Sequence, residues 1–343
     1  MRQRQKSGKW VSQAISLAAV SGLMLGAATP ATAEELIGLT QFSSLLRFDS
    51  ATPGTITGEV TISGLVFGDS VVGIDRRPSL GPNNGALYGL GYNSALGTLR
   101  IYTLNTMTGA ATLVSTLVAD PADTTAPFPY TGSFSGAYGI DFNPVEDRLR
   151  VTSQRGENLR INVDTGATQL DVPLAYQAGD PNFGMPPAVG AVAYSNNFGG
   201  ATTTELRGVD SGLIFGINND PDRLVLHTNP NGGTLATILT LPFSSTSADI
   251  SAYDISGLSG TPYFAVGSAG SASSQLYAAG PGGITLVGTI GNAGTRILLG
   301  LAAPVGAQAG TPQVIPEPGT LTLAVTGLLP LVGVIARRRR HRA

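Results

Sequence analysis

No cysteine occurs in the 343 residues. That absence excludes disulfides, thiolate metal sites and a cysteine nucleophile. Histidine occurs only at 227 and 341, and only His227 lies in the body of the chain. A zinc site built from several histidines is therefore excluded, and Ser-His-Asp catalysis has a single histidine on which to rest. Both lysines, Lys6 and Lys9, fall among the first ten residues. The body has no long apolar run and no segment that keeps a helical period, so long helices are not expected there.

The apolar runs that exist are at the two ends. Arg2, Arg4, Lys6 and Lys9 precede an apolar stretch over 14–28, and then Ala31-Thr32-Ala33 supplies the small-x-small pattern that fits the narrow cleft of a signal peptidase. Basic, apolar and small, in that order, read as a secretory signal over residues 1–33, with Ala31 and Ala33 at the cleavage site. The apolar part is short for a membrane anchor. At the other end, Pro316-Glu317-Pro318 precedes an apolar run over 320–336, followed by Arg337, Arg338, Arg339 and Arg340. As a helix this run would be about 25 Å long, marginal for a bilayer core of about 30 Å. Its arginines would remain on the cytoplasmic side. An ordinary tail anchor is the plainer reading. The tripartite order instead resembles the PEP-CTERM sorting signal, and the resemblance covers residues 311–343. It implies recognition by an exosortase-type sorting enzyme in a Gram-negative envelope, and a link to exopolysaccharide or biofilm. The protein is then expected to cross the inner membrane, to be anchored transiently by its tail, and to reach the cell surface or the extracellular space.

Without the two ends, eleven basic residues face twenty-one acidic ones, so the body carries a charge near −10 although the whole chain is at −2. Such a body repels nucleic acid and anionic membrane surfaces.

The body repeats. Five apolar segments resemble one another: 71–78 (VVGIDRRP), 138–144 (YGIDFNP), 189–196 (VGAVAYSN), 250–257 (ISAYDISG) and 297–304 (ILLGLAAP). After each of the first four come two further strand-like runs, a turn ending in Gly109, Gly166, Gly233 or Gly283, and a fourth run. Glycine at that place supplies the positive φ of a tight hairpin. The fifth segment has nothing after it but the tail, whereas the start of the body, 35–62, holds three strand-like runs with no first strand. A complete unit forms only if the end pairs with the beginning. This predicts an all-β fold, a β-propeller of five four-stranded blades over 34–310, closed by pairing the C-terminal strand with the N-terminal strands. A sandwich or a solenoid would not require that complementation.

Gly139-Ile140-Asp141-Phe142-Asn143-Pro144, Asp147-Arg148-Leu149-Arg150-Val151, Asn158-Leu159-Arg160 and Asp164-Thr165-Gly166 resemble the signature of domain of unknown function 4394. Val192-Ala193-Tyr194-Ser195-Asn196 and the segment 202–206 fit its continuation. The resemblance implies one extracellular repeat domain and supplies no mechanism.

First strands line the channel of a propeller. Aligned, they bring Asp75, Asp141 and Asp254 to one position, with Tyr194 and Ala302 in the other two blades. Three carboxylates around one axis repel unless a cation lies among them, and hard oxygen donors suit Ca²⁺. The plainer reading is that each aspartate bonds backbone in the adjacent turn. His227 falls on a third strand, away from the channel, where a structural or exposed role is expected. Asp141, Asp147, Arg148, Arg150, Arg155 and Arg160 read either as a carboxylate base with an anion-stabilising arginine or, more plainly, as a ladder of cross-strand pairs. Two long connections carry aromatics, Phe128, Tyr130 and Phe134 in one, Tyr176 and Phe183 in the other. These rings are candidates for binding sugars or protein partners, or for covering blade edges. Taken together, the sequence points to a non-catalytic binding or matrix component, with a polysaccharide lyase or hydrolase as the competing class.

Overall fold

The structure is a computed structural model, and it describes residues 33–123, 137–214, 217–218, 222–243, 251–267, 272–291 and 296–307. Strand type in it follows distance from a central axis. Val189–Tyr194 is apolar throughout, Tyr138–Asn143 is apolar but for Asp141 and Asn143, and both are buried along both faces nearly to their ends, as strands enclosed on both sides must be. Ile56–Thr61 and Gly283–Thr289 alternate, with one face in solvent, and form outer edges.

Five antiparallel blades result. Blade I is Asp69–Arg76, Leu87–Asn93, Thr98–Leu104 and Ala111–Thr116. Blade II is Tyr138–Asn143, Arg148–Ser153, Asn158–Ile161 and Ala167–Leu170. Blade III is Val189–Tyr194, Leu206–Asp210, Arg223–Asn229 and Thr234–Thr240. Blade IV is Ser251–Ile255, Pro262–Val266, Gln275–Gly280 and Gly283–Thr289. Blade V joins the ends of the body: Leu298–Ala302 pairs with Glu35–Thr40, which continues to Ser44–Asp49 and Ile56–Thr61. The closing register sets Ala302 against Ile37 and Leu298 against Thr40. Each innermost strand packs on the next, and blade V packs on blade I, so the ring has no open edge at its centre.

The seams between blades hold the core. Tyr88 and Leu90 of blade I meet Phe142 and Val151 of blade II. Leu36 and Phe48 of blade V meet Tyr263 and Leu276 of blade IV. Comparable apolar clusters fill the seams V–I and III–IV.

The four repeated turn glycines all have positive φ, at 73°, 78°, 66° and 101° for Gly109, Gly166, Gly233 and Gly283. Three of them have a second role. The chain leaving each blade runs against the turn of the next, so that Ser63 N donates to Gly109 O, Val118 N to Gly166 O and Ala175 N to Gly233 O. In two cases this exit segment adds a short parallel strand to the next blade's outer edge: Val118–Ala119 on blade II and Ala175–Tyr176 on blade III. Those added strands, and a small hairpin of Leu213–Ile214 with Ile217–Asn218, are absent from the repeat pattern because they are only two residues long.

Candidate functional site

The axis is narrow because small residues face it. Gly73, Gly139, Ala191, Ala252 and Gly300 occupy the same place in the five innermost strands and line one central pocket. A Cβ at Gly139 would lie 2.7 Å from Val192 N, so a larger residue there would force the strands apart. Two positions further along come Asp75, Asp141 and Asp254. They are 0–1% exposed, and one carboxylate oxygen from each lies within 4.8 Å of the others. The alignment needs one correction. Tyr194 N donates to Asp141 Oδ1 at 3.0 Å, just as Phe142 N donates to Asp75 Oδ2 at 2.7 Å and Ala303 N to Asp254 Oδ2 at 2.5 Å. Each donor follows the aspartate position by one residue, so blade III contributes Ala193, not Tyr194. Blade I carries the same register shift, between Val71 and Gly73, as blade III does between Val189 and Ala191, so the two strands align without a gap and Ala193 matches Asp75.

The backbone bonds expected of these aspartates are present, but they tie blades together more than turns. Asp75 and Asp254 also accept the amides of Arg76 and Ile255, both at 2.6 Å. Asp141 Oδ2 receives no N–H among the described residues, and the Asp141 carboxyl meets that of Asp254. Burial is the largest effect on all three. It raises Asp75 well above the usual carboxylate range, helped by the Asp254 charge, and it raises Asp141, helped by the charges of Asp75 and Asp254. Asp254 is pushed up to about 7 by burial, opposed by the two amides that it accepts. Three carboxyls in this state hold protons, or they hold a cation. The donor set is hard and anionic, and each bonded oxygen keeps a second lone pair, which fits a cation such as Ca²⁺ or Mg²⁺.

The axis is narrow on one side of the triad and crossed by chain on the other. The central pocket has a volume of about 10 Å³, room for one water. At the aspartate end the chain leaving blade V crosses the mouth. Gly257 N donates to Pro304 O, and Gly306 N to Asn197 O, both at 2.8 Å. This strap touches blades III and IV, and Val305 lies against the position of Gly85 in blade I.

The arginine cluster divides. Arg160 forms a two-pronged pair with Asp171, at 2.7 and 3.0 Å, which is the cross-strand ladder expected. Arg150 is 1% exposed and reaches across a seam. It donates to Asp171 at 2.5 Å, to Asn158 at 2.7 Å and to Asn231 of blade III at 2.6 Å, and its Nε faces the Tyr194 hydroxyl at 3.4 Å. Asp147 does not join that ladder. Its carboxylate takes two bonds from Arg77 of blade I, at 2.8 and 2.7 Å, while Arg77 also holds Asp164 at 2.8 and 2.9 Å. Arg77 lies over the rings of Tyr88 and Phe142, and these bonds hold its guanidinium far above its ordinary pKa. The clasp joins residues 70 and 87 positions apart, a pairing that no local pattern announces. His227 is 3% exposed, with no hydrogen-bond partner on either ring nitrogen among the described residues, and burial lowers its pKa to about 3. It is a neutral core residue and not an exposed one.

Of the loop aromatics, Phe183 is 63% exposed, whereas Tyr176 is buried and its hydroxyl donates to Asp210. Tyr176 thus covers a blade edge and offers no ring to a ligand. Phe128, Tyr130 and Phe134 lie outside the described residues, as do Ala31, Pro316, Glu317, Pro318 and Arg337 to Arg340. Among the described residues no helix is long and apolar enough to cross a membrane.

The family model described as Domain of unknown function (DUF4394) matches residues 44–302. No curated protein matches the sequence. Among solved structures the chain is similar to TolB from Acinetobacter baumannii, at 10% identity and a TM-score of 0.38, covering 75% of this chain and 53% of that one. It is similar to a calcium-binding protein, regucalcin, from Agrobacterium tumefaciens, at 12% identity and a TM-score of 0.35, covering 67% of this chain and 66% of that one. It is also similar to a chain of a nidogen/laminin complex, at 10% identity and a TM-score of 0.41, covering 80% of this chain and 99% of that one. The chain thus spans about half the length of the TolB chain and just under two thirds of the regucalcin chain.

Proposed function

Because the chain belongs to the family of domain of unknown function DUF4394, whose description assigns no activity, we propose its function from its own residues: an exported, non-catalytic propeller that serves as a binding or structural component of a cell-surface or exopolysaccharide matrix. The observation that carries this reading is the burial of the axial carboxyls. The densest set of shifted carboxyls is fully buried, sits behind a ring of small residues, and is crossed by the strap at 303–306. Cleavage of a glycosidic bond needs an acid and a base on either side of the substrate in a cleft that admits it. Carboxyls locked among innermost strands are suited to holding the ring together.

In this reading Asp75, Asp141 and Asp254 hold one divalent cation, Ca²⁺ by donor chemistry, and the ion offsets the repulsion of three buried charges. The close approach of the Asp141 and Asp254 carboxyls, with no N–H among the described residues on Asp141 Oδ2, supports it. The signal over 1–33, with Ala31 and Ala33 at its cleavage site, and the sorting pattern of Pro316-Glu317-Pro318 with Arg337 to Arg340 support delivery by signal peptidase and an exosortase-type enzyme. The test is a cleavage screen of the purified protein against acidic and neutral polysaccharides, run beside localisation in cells. The expected result is no turnover, with the protein in the matrix or on the surface. Reproducible turnover, lost when Asp141 or Asp254 is replaced by asparagine, would overturn the non-catalytic reading in favour of a lyase or hydrolase.

A further inference from the structure

Away from the axis, blade II carries a hollow of about 360 Å³ lined by Asp120, Glu146, Arg148, Arg160, Ala167 and Gln169. That volume suits a small ligand, yet the lining is polar where most ligand pockets are apolar. Its polar groups are planar and incompletely engaged. Arg148 makes one described hydrogen bond, from Nη1 to Asp147 O at 3.2 Å, and no ion pair among the described residues. Arg160 is held by Asp171 through Nε and Nη2, which leaves Nη1 facing Glu146 at 3.8 Å, beyond hydrogen-bond reach. The Gln169 amide makes no described side-chain bond, and Asp120 uses one oxygen to accept Ala122 N.

These groups are fixed in place by the fold. Arg148, Arg160 and Gln169 stand on three adjacent strands, with Arg160 directly opposite Gln169. Arg148 follows Asp147, which is held at φ 51° by the Arg77 clasp. Asp120 is set against the outer strand by its own amide, which donates to Thr168 O. Guanidinium, carboxylate and carboxamide groups presented rigidly around one hollow match the vicinal hydroxyl pairs of a sugar, donating to some and accepting from others. Charge selects among sugars. Asp171 is shared by Arg150 and Arg160, so around the hollow Arg148 and Arg160 are balanced by Glu146 and Asp120, which gives an anionic sugar no net attraction.

We propose that this hollow on blade II is a binding site for an uncharged glycan unit, with Arg148, Gln169 and Glu146 as its recognition groups. The proposal rests on the matrix reading and names its ligand class. The test is calorimetric titration of the full chain with neutral oligosaccharides, with uronate-containing oligosaccharides and with acetate, repeated on Arg148→Ala, Gln169→Ala and Glu146→Gln. Their melting temperatures are expected to match that of the parent, because none of the three has a buried bond to lose. The expected result is binding of a neutral oligosaccharide that weakens at least tenfold in Arg148→Ala and Gln169→Ala and several-fold in Glu146→Gln. Glycan binding that survives all three substitutions would overturn the site and leave the matrix reading standing. Stronger binding of uronate than of neutral glycan would overturn the ligand class. Binding of no glycan would overturn the site and the exopolysaccharide link together.

Discussion

Two regions join neighbouring blades with charged groups, and they handle charge in opposite ways. At the seams around blade II every buried charge meets its opposite within the chain: Arg150 with Asp171, and Arg77 with Asp147 and Asp164. On the axis three carboxyls meet one another, and the groups that bond them are neutral amides. A seam is therefore complete as translated. The axis is complete only with a proton or a cation, so its stability responds to pH and to ions while the seams respond to mutation.

Breaking a seam should have the largest effect. Arg150→Ala leaves the Asn158 and Asn231 carbonyls without this donor while Asp171 keeps Arg160, and a cost of roughly 2–4 kcal/mol is expected in urea unfolding. Arg77→Ala should cost less, about 1–2 kcal/mol, because Asp147 and Asp164 are 41% and 57% exposed and water replaces the lost bonds. At the axis the sign reverses. The aspartates have folded-state pKa values above their unfolded ones, so their contribution is fully present at acid pH and is lost as pH rises through the folded values, about 7 for Asp254. With a chelator present, the melting temperature should fall between pH 5 and pH 8. Asp141→Asn should flatten that fall and melt above the parent at pH 8. Asparagine can keep its oxygen on Tyr194 N and turn its amide toward the Asp254 carboxyl. One pKa unit corresponds to about 1.4 kcal/mol, so the change is measurable by calorimetry. The smallest effect belongs to His227. Its folded pKa is about 3, below the ordinary 6.5, so it lends stability above pH 6.5 that is lost as pH falls toward 3. His227→Leu should make the acid side of the profile shallower and leave the alkaline side unchanged.

The ring and the axial aspartates were legible in the sequence because both rest on periodicity. A glycine ends each of four turns at one place in the repeat, and the count of strands forces Leu298–Ala302 to pair with Glu35–Thr40. What periodicity cannot carry was missed. Blade III places Ala193, not an aspartate, at the axial position, so the neighbouring polar Tyr194 fits the repeat one residue out of step. Asp147 reads as part of a local ladder in the sequence, and its partner proves to be Arg77, in another blade. The inward turn of Tyr176 depends on Asp210, 34 residues away, and no run of residues around the tyrosine signals it. The crossing of the aspartate mouth by Pro304 and Gly306 was equally hidden, because Pro304 ends its segment as Pro78 and Pro144 end theirs and Gly306 lies beyond the last repeat.

The central claim is that the axial carboxylates tie the propeller together through a divalent cation. Calcium titration of the purified protein at pH 8, followed by heat of binding and by melting temperature, tests it most directly. The account predicts saturable binding near one ion per chain and a raised melting temperature, both abolished in Asp141→Asn. No heat and no thermal shift in the parent protein, or an equal shift in the variant, would contradict it.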